Sequence, residues 1–62
     1  MNAAEIRAGH RYINTFGTVY LCHRIEGENV VYTLEGIRMK DLRMPIDTFA
    51  RFMVRELPPE ED

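Results

Sequence analysis

Cys22 and His23 stand side by side in the run TVYLCHRI, the one place in this chain where a nucleophile neighbours a base. On a strand, however, adjacent side chains leave opposite faces, so the two cannot form a nucleophile–base pair within one chain. Serine is absent altogether. His10, Cys22 and His23 are too few and too poorly spaced for zinc, and no run of carboxylates matches a calcium loop. The glycines fall singly at turns, so there is no phosphate-cradling loop. The residues therefore predict no catalytic group, no metal and no cofactor: a non-enzymatic protein. Cys22 reads as a small strand residue, and His23 as an edge or core histidine with one hydrogen bond.

A different chemistry is available in VVYTLEGIRMKDLRMP, residues 30–45, where Arg38, Lys40 and Arg43 fall at polar positions of an alternating run. If Ile37 and Met39 face inward, Arg38 and Lys40 face outward, and a bulge at Asp41 brings Arg43 alongside them. Arg51 and Arg55 make a second patch, as the later members of an i, i+4 ladder that begins at Asp47. Such a row can be a solvated outer face that blunts a sheet edge. It can also bind nucleic acid, although that chemistry favours aromatic platforms beside the cations. Tyr20 is available for this, but Tyr32 falls in the inward register. Protein binding needs only an arginine-rich, partly apolar patch or a free strand edge.

Charge weighs on that choice. Residues 1–55 hold eight basic and six acidic side chains, whereas residues 56–62 carry four acids and no base, for a net charge of −2. A mildly basic body with an acidic tail is not a strong nucleic-acid signature. Seven of the eight cations are arginine, whose guanidinium is weakly hydrated and forks onto carboxylate or phosphate.

The elements that must carry these residues are short. Asn2 and Glu5 have capping-box spacing ahead of a helix over residues 3–8 that Gly9 would end. Strands are expected near residues 10–16, 18–25, 30–35 and 37–43, with turns at NTFG and EGEN. Val30, Tyr32 and Leu34 alternate inward. Pro45 sits at the favoured start of a helix near 46–56, whose apolar stripe is Ile46, Phe49, Met53 and Leu57, with Phe49 plugging the core. Pro58 and Pro59 cannot continue it. Four to five short strands and a C-terminal helix fit a mainly β fold, a small SH3-like antiparallel barrel capped by the helix. The runner-up is an open antiparallel sheet with the helix across one face.

Gly9, Tyr12, Gly17, Val19, Val31, Tyr32, Gly36, Pro45 and Phe49 form a layout that resembles short bacterial, phage and prophage proteins. That resemblance spans most of residues 9–53. It implies an SH3-like fold and a phage or mobile-element origin, and it carries no functional residue across.

At 62 residues the chain makes one domain, expected over residues 1–56 with an acidic disordered tail at 57–62. So small a domain buries only about 60% of its unfolded surface, which makes each large core side chain count. With 45% hydrophobic residues it is too apolar for a disordered chain. A single cysteine excludes an internal disulfide, and no apolar run reaches the length of a membrane span, so a cytoplasmic location is expected. The resulting expectation is a phage or prophage accessory protein, monomer or weak homodimer. It would bind and modulate a host protein through Arg38, Lys40, Arg43, Arg51 and Arg55. A small nucleic-acid-binding regulator using Arg38, Lys40 and Arg43 is the alternative.

Overall fold

The computed structural model of the chain describes residues 1–59. A 3₁₀ turn, Ala3–Glu5, leads into strands β1 (Arg11–Asn14), β2 (Val19–Glu26), β3 (Asn29–Leu34) and β4 (Leu42–Pro45); helix α1 (Ile46–Phe52) and strand β5 (Met53–Leu57) follow. All five strands are antiparallel neighbours in the order β4-β3-β2-β1-β5. The first four strands form a meander, and β5 returns to the free edge of β1. β4 and β5 share no ladder, so the sheet is not closed; α1 packs against β3, β4 and β5 between its two edges.

The turns have local causes. Asn14 Oδ1 accepts hydrogen bonds from the backbone N–H groups of Phe16 (3.0 Å) and Thr18 (2.9 Å), the Asx pattern that lets a side chain stand in for backbone. Gly17 follows at φ +85°, where a side chain would be strained. Between β2 and β3 the Glu26↔Asn29 pair is closed by Gly27 at φ +59° and Glu28, a glycine at the first central position as a two-residue hairpin of the II′ kind requires. The Glu28 carbonyl then accepts from the Ile46 N–H at 2.8 Å, tying the start of α1 to this hairpin.

Phe49 is fully buried and is the centre of the core. Tyr12 and Tyr20 meet it edge-on, with ring centroids at 5.6 and 5.8 Å, and Tyr32 lies tilted against it at 5.7 Å. Each such aromatic pair contributes about 0.5–1.5 kcal/mol beyond area burial. Tyr12 keeps its hydroxyl satisfied, accepting from the Arg7 N–H at 2.8 Å and donating to the Glu5 carbonyl at 3.2 Å. Ile6, Cys22, Val30, Ala50 and Met53 complete the cluster.

Several expectations are corrected. The C-terminal helix ends at Phe52 instead of continuing to residue 56, and residues 53–57 are strand. Along β1 the ladder offers backbone hydrogen bonds to Met53, Arg55, Glu56 and Leu57, and this non-local pairing outweighs the helical spacing of the apolar residues. The stripe holds as far as Met53, which is buried and donates its N–H to the Phe49 carbonyl; Leu57 belongs to β5, not to the tail. The strand foreseen over 37–43 is only Leu42–Pro45. Residues 37–41 form a loop, and Ile37 is 56% exposed, not inward. No bulge forms at Asp41. The β2–β3 register shifts between Cys22 and Arg24 instead, leaving His23 as the extra residue. The helix foreseen over 3–8 is the 3₁₀ turn, where Asn2 Oδ1 accepts from the Ala4 N–H at 3.0 Å. Of the foreseen tail, residues 60–62 lie outside the described residues. No helix among the described residues is long and apolar enough to cross a membrane.

Candidate functional site

The five cations singled out from sequence lie on four different parts of the fold: the 37–41 loop, β4, α1 and β5. Arg43 lies on the outer face of β4, where its Nε donates to Glu26 Oε1 at 3.1 Å; the other oxygen of Glu26 accepts from Arg24 Nε at 2.8 Å. Arg24 also reaches Asp41 at 3.6 Å. The two guanidiniums, Arg24 foremost, hold the Glu26 carboxyl below the usual carboxylate range. In register, Val31 is paired with Arg24 on one side and Arg43 on the other. Val31 is 0% exposed yet stands outside the main core cluster. The arginine stems therefore flank an apolar residue on the outer face, as long cationic side chains commonly do. Arg43 is thus occupied within the fold, and Arg24, which sequence reasoning passed over, works with it.

Arg38 and Lys40 are different. They project from the 37–41 loop and are in no ion pair among the described residues, while the acids bracketing them are paired: Glu35 with Arg11 at 3.4 Å and Asp41 with Arg24. The loop itself is anchored, because Met39 Sδ accepts from the Leu34 N–H at 3.3 Å and the Ile37 N–H reaches the Leu34 carbonyl. Arg51 lies elsewhere, lining a recess with Met1, Ala3 and Asp47. Arg55 is on β5 opposite Ile13, so Arg51 and Arg55 do not share the single helix that the i, i+4 ladder requires.

The antiparallel registers gather a different set of residues. The pairs Ile13↔Val19, Asn14↔Met53, Tyr20↔Leu34 and Tyr32↔Leu42 place three connections at one end of the sheet: the 15–18 turn, the α1–β5 junction and the 35–41 loop. Here Phe16 is 92% exposed and Phe52 58% exposed, and Ile37 and Leu42 are also open. Phe16 and Phe52, with Tyr20, Met44, Asn14 and Thr15, line a groove of about 300 Å³. Sequence reasoning missed both phenylalanines. A phenylalanine within a turn, where small polar residues dominate, was the available signal for Phe16. For Phe52 it was a position off the Ile46–Phe49–Met53 stripe.

A larger cleft of about 530 Å³ lies on the other face of β1 and β2, lined by His10, Arg11, Leu21, His23, Glu35 and Leu57 among others. Its polar groups are engaged with one another or with near neighbours: His10 Nδ1 with Glu56 Oε2 at 3.0 Å, Arg11 with Glu35, and His23 Nε2 with Thr33 Oγ1 at 2.7 Å. Cys22, which also borders the cleft, is buried in the core, and burial pushes its thiol pKa up, away from the thiolate a nucleophile needs. No group of three or more metal-ligating side chains occurs among the described residues. No protein family, curated protein or solved structure matches this chain.

Proposed function

We propose that this protein is a non-enzymatic protein-binding module of SH3-like barrel type. It contacts its partner through the end of the sheet that carries Phe16, Phe52, Arg38 and Lys40. The strand order supports the barrel reading: a four-stranded meander whose fifth strand returns to the first, with a helix between the two edges. One observation carries the binding reading. Two exposed phenylalanines, 36 positions apart in sequence, border the same apolar groove, with the Phe16 N–H tied down by Asn14. Contiguous exposed apolar surface marks interaction sites, and aromatic and arginine side chains dominate binding energy where proteins meet.

Nucleic acid is the second reading, since exposed aromatics beside cations also make stacking platforms. It is disfavoured because Arg24 and Arg43 are spent on Glu26 and Asp41, which leaves few cations for phosphates. A photo-crosslinking side chain placed at Phe16, with Arg24 as the outer-face control, separates the two. Protein adducts from position 16 and none from position 24 are expected in bacterial lysate. Equal labelling from both positions counts against the site. Tight binding to mixed DNA or RNA that collapses with added salt makes the ligand nucleic acid.

A further inference from the structure

We propose that the segment recognised at this end is an acidic polypeptide stretch carrying one bulky apolar residue. The apolar residue enters the groove between Phe16 and Phe52, and flanking carboxylates pair with Arg38 and Lys40. This rests on the protein-binding reading above and adds the chemistry of the partner. The groove sits at the floor of the size range of small-molecule sites, about 300–1,000 Å³, and is open, so it suits a single protruding side chain better than a whole ligand. Its walls are two phenylalanines, a tyrosine and a methionine thioether, surfaces that adapt to aliphatic or aromatic insertions.

The uncompensated charge on the loop at this end has one sign. Both acids that bracket Arg38 and Lys40, Glu35 and Asp41, are paired, so among the described residues the unpaired charge of the 37–41 loop is the +2 of Arg38 and Lys40. The loop and the groove also share a common footing. Met39 is held on the Leu34 N–H, Leu34 pairs across the ladder with Tyr20, and Tyr20 lines the groove. Backbone pairing therefore puts the cation-bearing loop at the same end of the sheet as the apolar slot. An acidic segment meets complementary potential there; a basic one meets repulsion.

The test uses the full chain and four fluorescein-labelled probes, read by anisotropy. They are a Gly-Glu-Asp-Leu-Phe-Asp-Glu-Gly peptide, the same peptide with lysine for every acid, the acidic peptide with glycine for Leu-Phe, and an oligothymidine. Only the acidic, anchored peptide is expected to bind. Raising ionic strength from about 0.05 M to about 0.3 M should weaken it several-fold. Arg38→Glu with Lys40→Glu should weaken it about tenfold or more while the circular dichroism spectrum is unchanged. Phe16→Ser should remove binding with the fold intact. Equal affinity for the acidic and lysine peptides, an undiminished affinity in the charge-reversed variant, or no peptide bound while position 16 still crosslinks to proteins, overturns the acidic assignment alone. Failure of both the peptides and the position-16 crosslinks overturns the protein-binding reading itself, and binding of the oligothymidine alone replaces it.

Discussion

Asn14 holds Phe16 by its backbone: the Asn14 Oδ1 accepts the Phe16 N–H at 3.0 Å, and the aromatic ring beyond it is 92% exposed. The same oxygen accepts from Thr18, so one amide organises the whole turn. A ring displayed on an organised turn loses less conformational freedom on binding than one on a loose loop. Asn14→Ala should therefore cost about 1–2 kcal/mol of stability through the lost hydrogen bonds. It should also weaken partner capture although Phe16 is untouched. Chemical denaturation paired with crosslinking from position 16 measures both, and capture unchanged in a destabilised protein would mean that the turn's rigidity is irrelevant.

Phe49 is the residue whose loss the fold should tolerate least. It is fully buried and touches the rings of Tyr12, Tyr20 and Tyr32. Truncation to alanine is expected to cost about 3–5 kcal/mol, enough to unfold a domain of this size. Circular dichroism at 25 °C reads this directly; a melting temperature within a few degrees of the parent would contradict the packing described here.

Arg43 and Arg38 should behave oppositely under the same substitution. Arg43→Glu breaks the contact with Glu26, sets two carboxylates side by side and uncovers Val31, so thermal stability should fall clearly. Arg38→Glu changes an exposed loop residue with no ion pair among the described residues and should stay within about 0.5 kcal/mol of the parent. Equal melting temperatures for the two variants would show that the outer-face network contributes nothing.

Acid should act partly through Glu26. Its carboxyl is held below the ordinary range by Arg24 and then Arg43, so the folded state favours the charged form. The associated stability is complete above the unfolded value of about 4.3 and is lost as pH falls through the lower folded value. The group is exposed, so the effect is small. A thermal-melt series from pH 6 to pH 2 should fall less steeply below about pH 4.3 for Glu26→Gln than for the parent. Parallel curves would mean that the ion pairs form without stabilising.

Cys22 should resist modification in the folded protein. It is buried, and burial raises its thiol pKa. Labelling by a thiol reagent near pH 8 should be slow in buffer and rapid in denaturant. Fast labelling of folded protein would place the thiol at the surface instead.

Local chemistry was enough for the two hairpins and for part of the core, though not for Tyr20, which reads as an outward platform but packs edge-on against Phe49. Asn14 with Gly17 and Gly27 with Glu28 encode their turns within a few residues, and Val30 and Tyr32 declare an inward face by alternation. Phe49 stands out because an apolar stripe after a proline can bury only one side. Met53–Leu57 was not legible in this way. Its apolar residues fit helical spacing as well as a strand, and the choice was made by the open edge of β1, about forty positions away in the chain. Residues 37–41 show the converse, alternation without a partner strand, and they became loop. The candidate site depended most on tertiary structure. Phe16 and Phe52 belong to no common motif, and Arg38 and Arg43 look alike in sequence. Only the registers brought the two rings to one end, tied Arg43 to Glu26 and left Arg38 and Lys40 without an ion pair among the described residues, because backbone pairing between distant segments decides which side chains become neighbours.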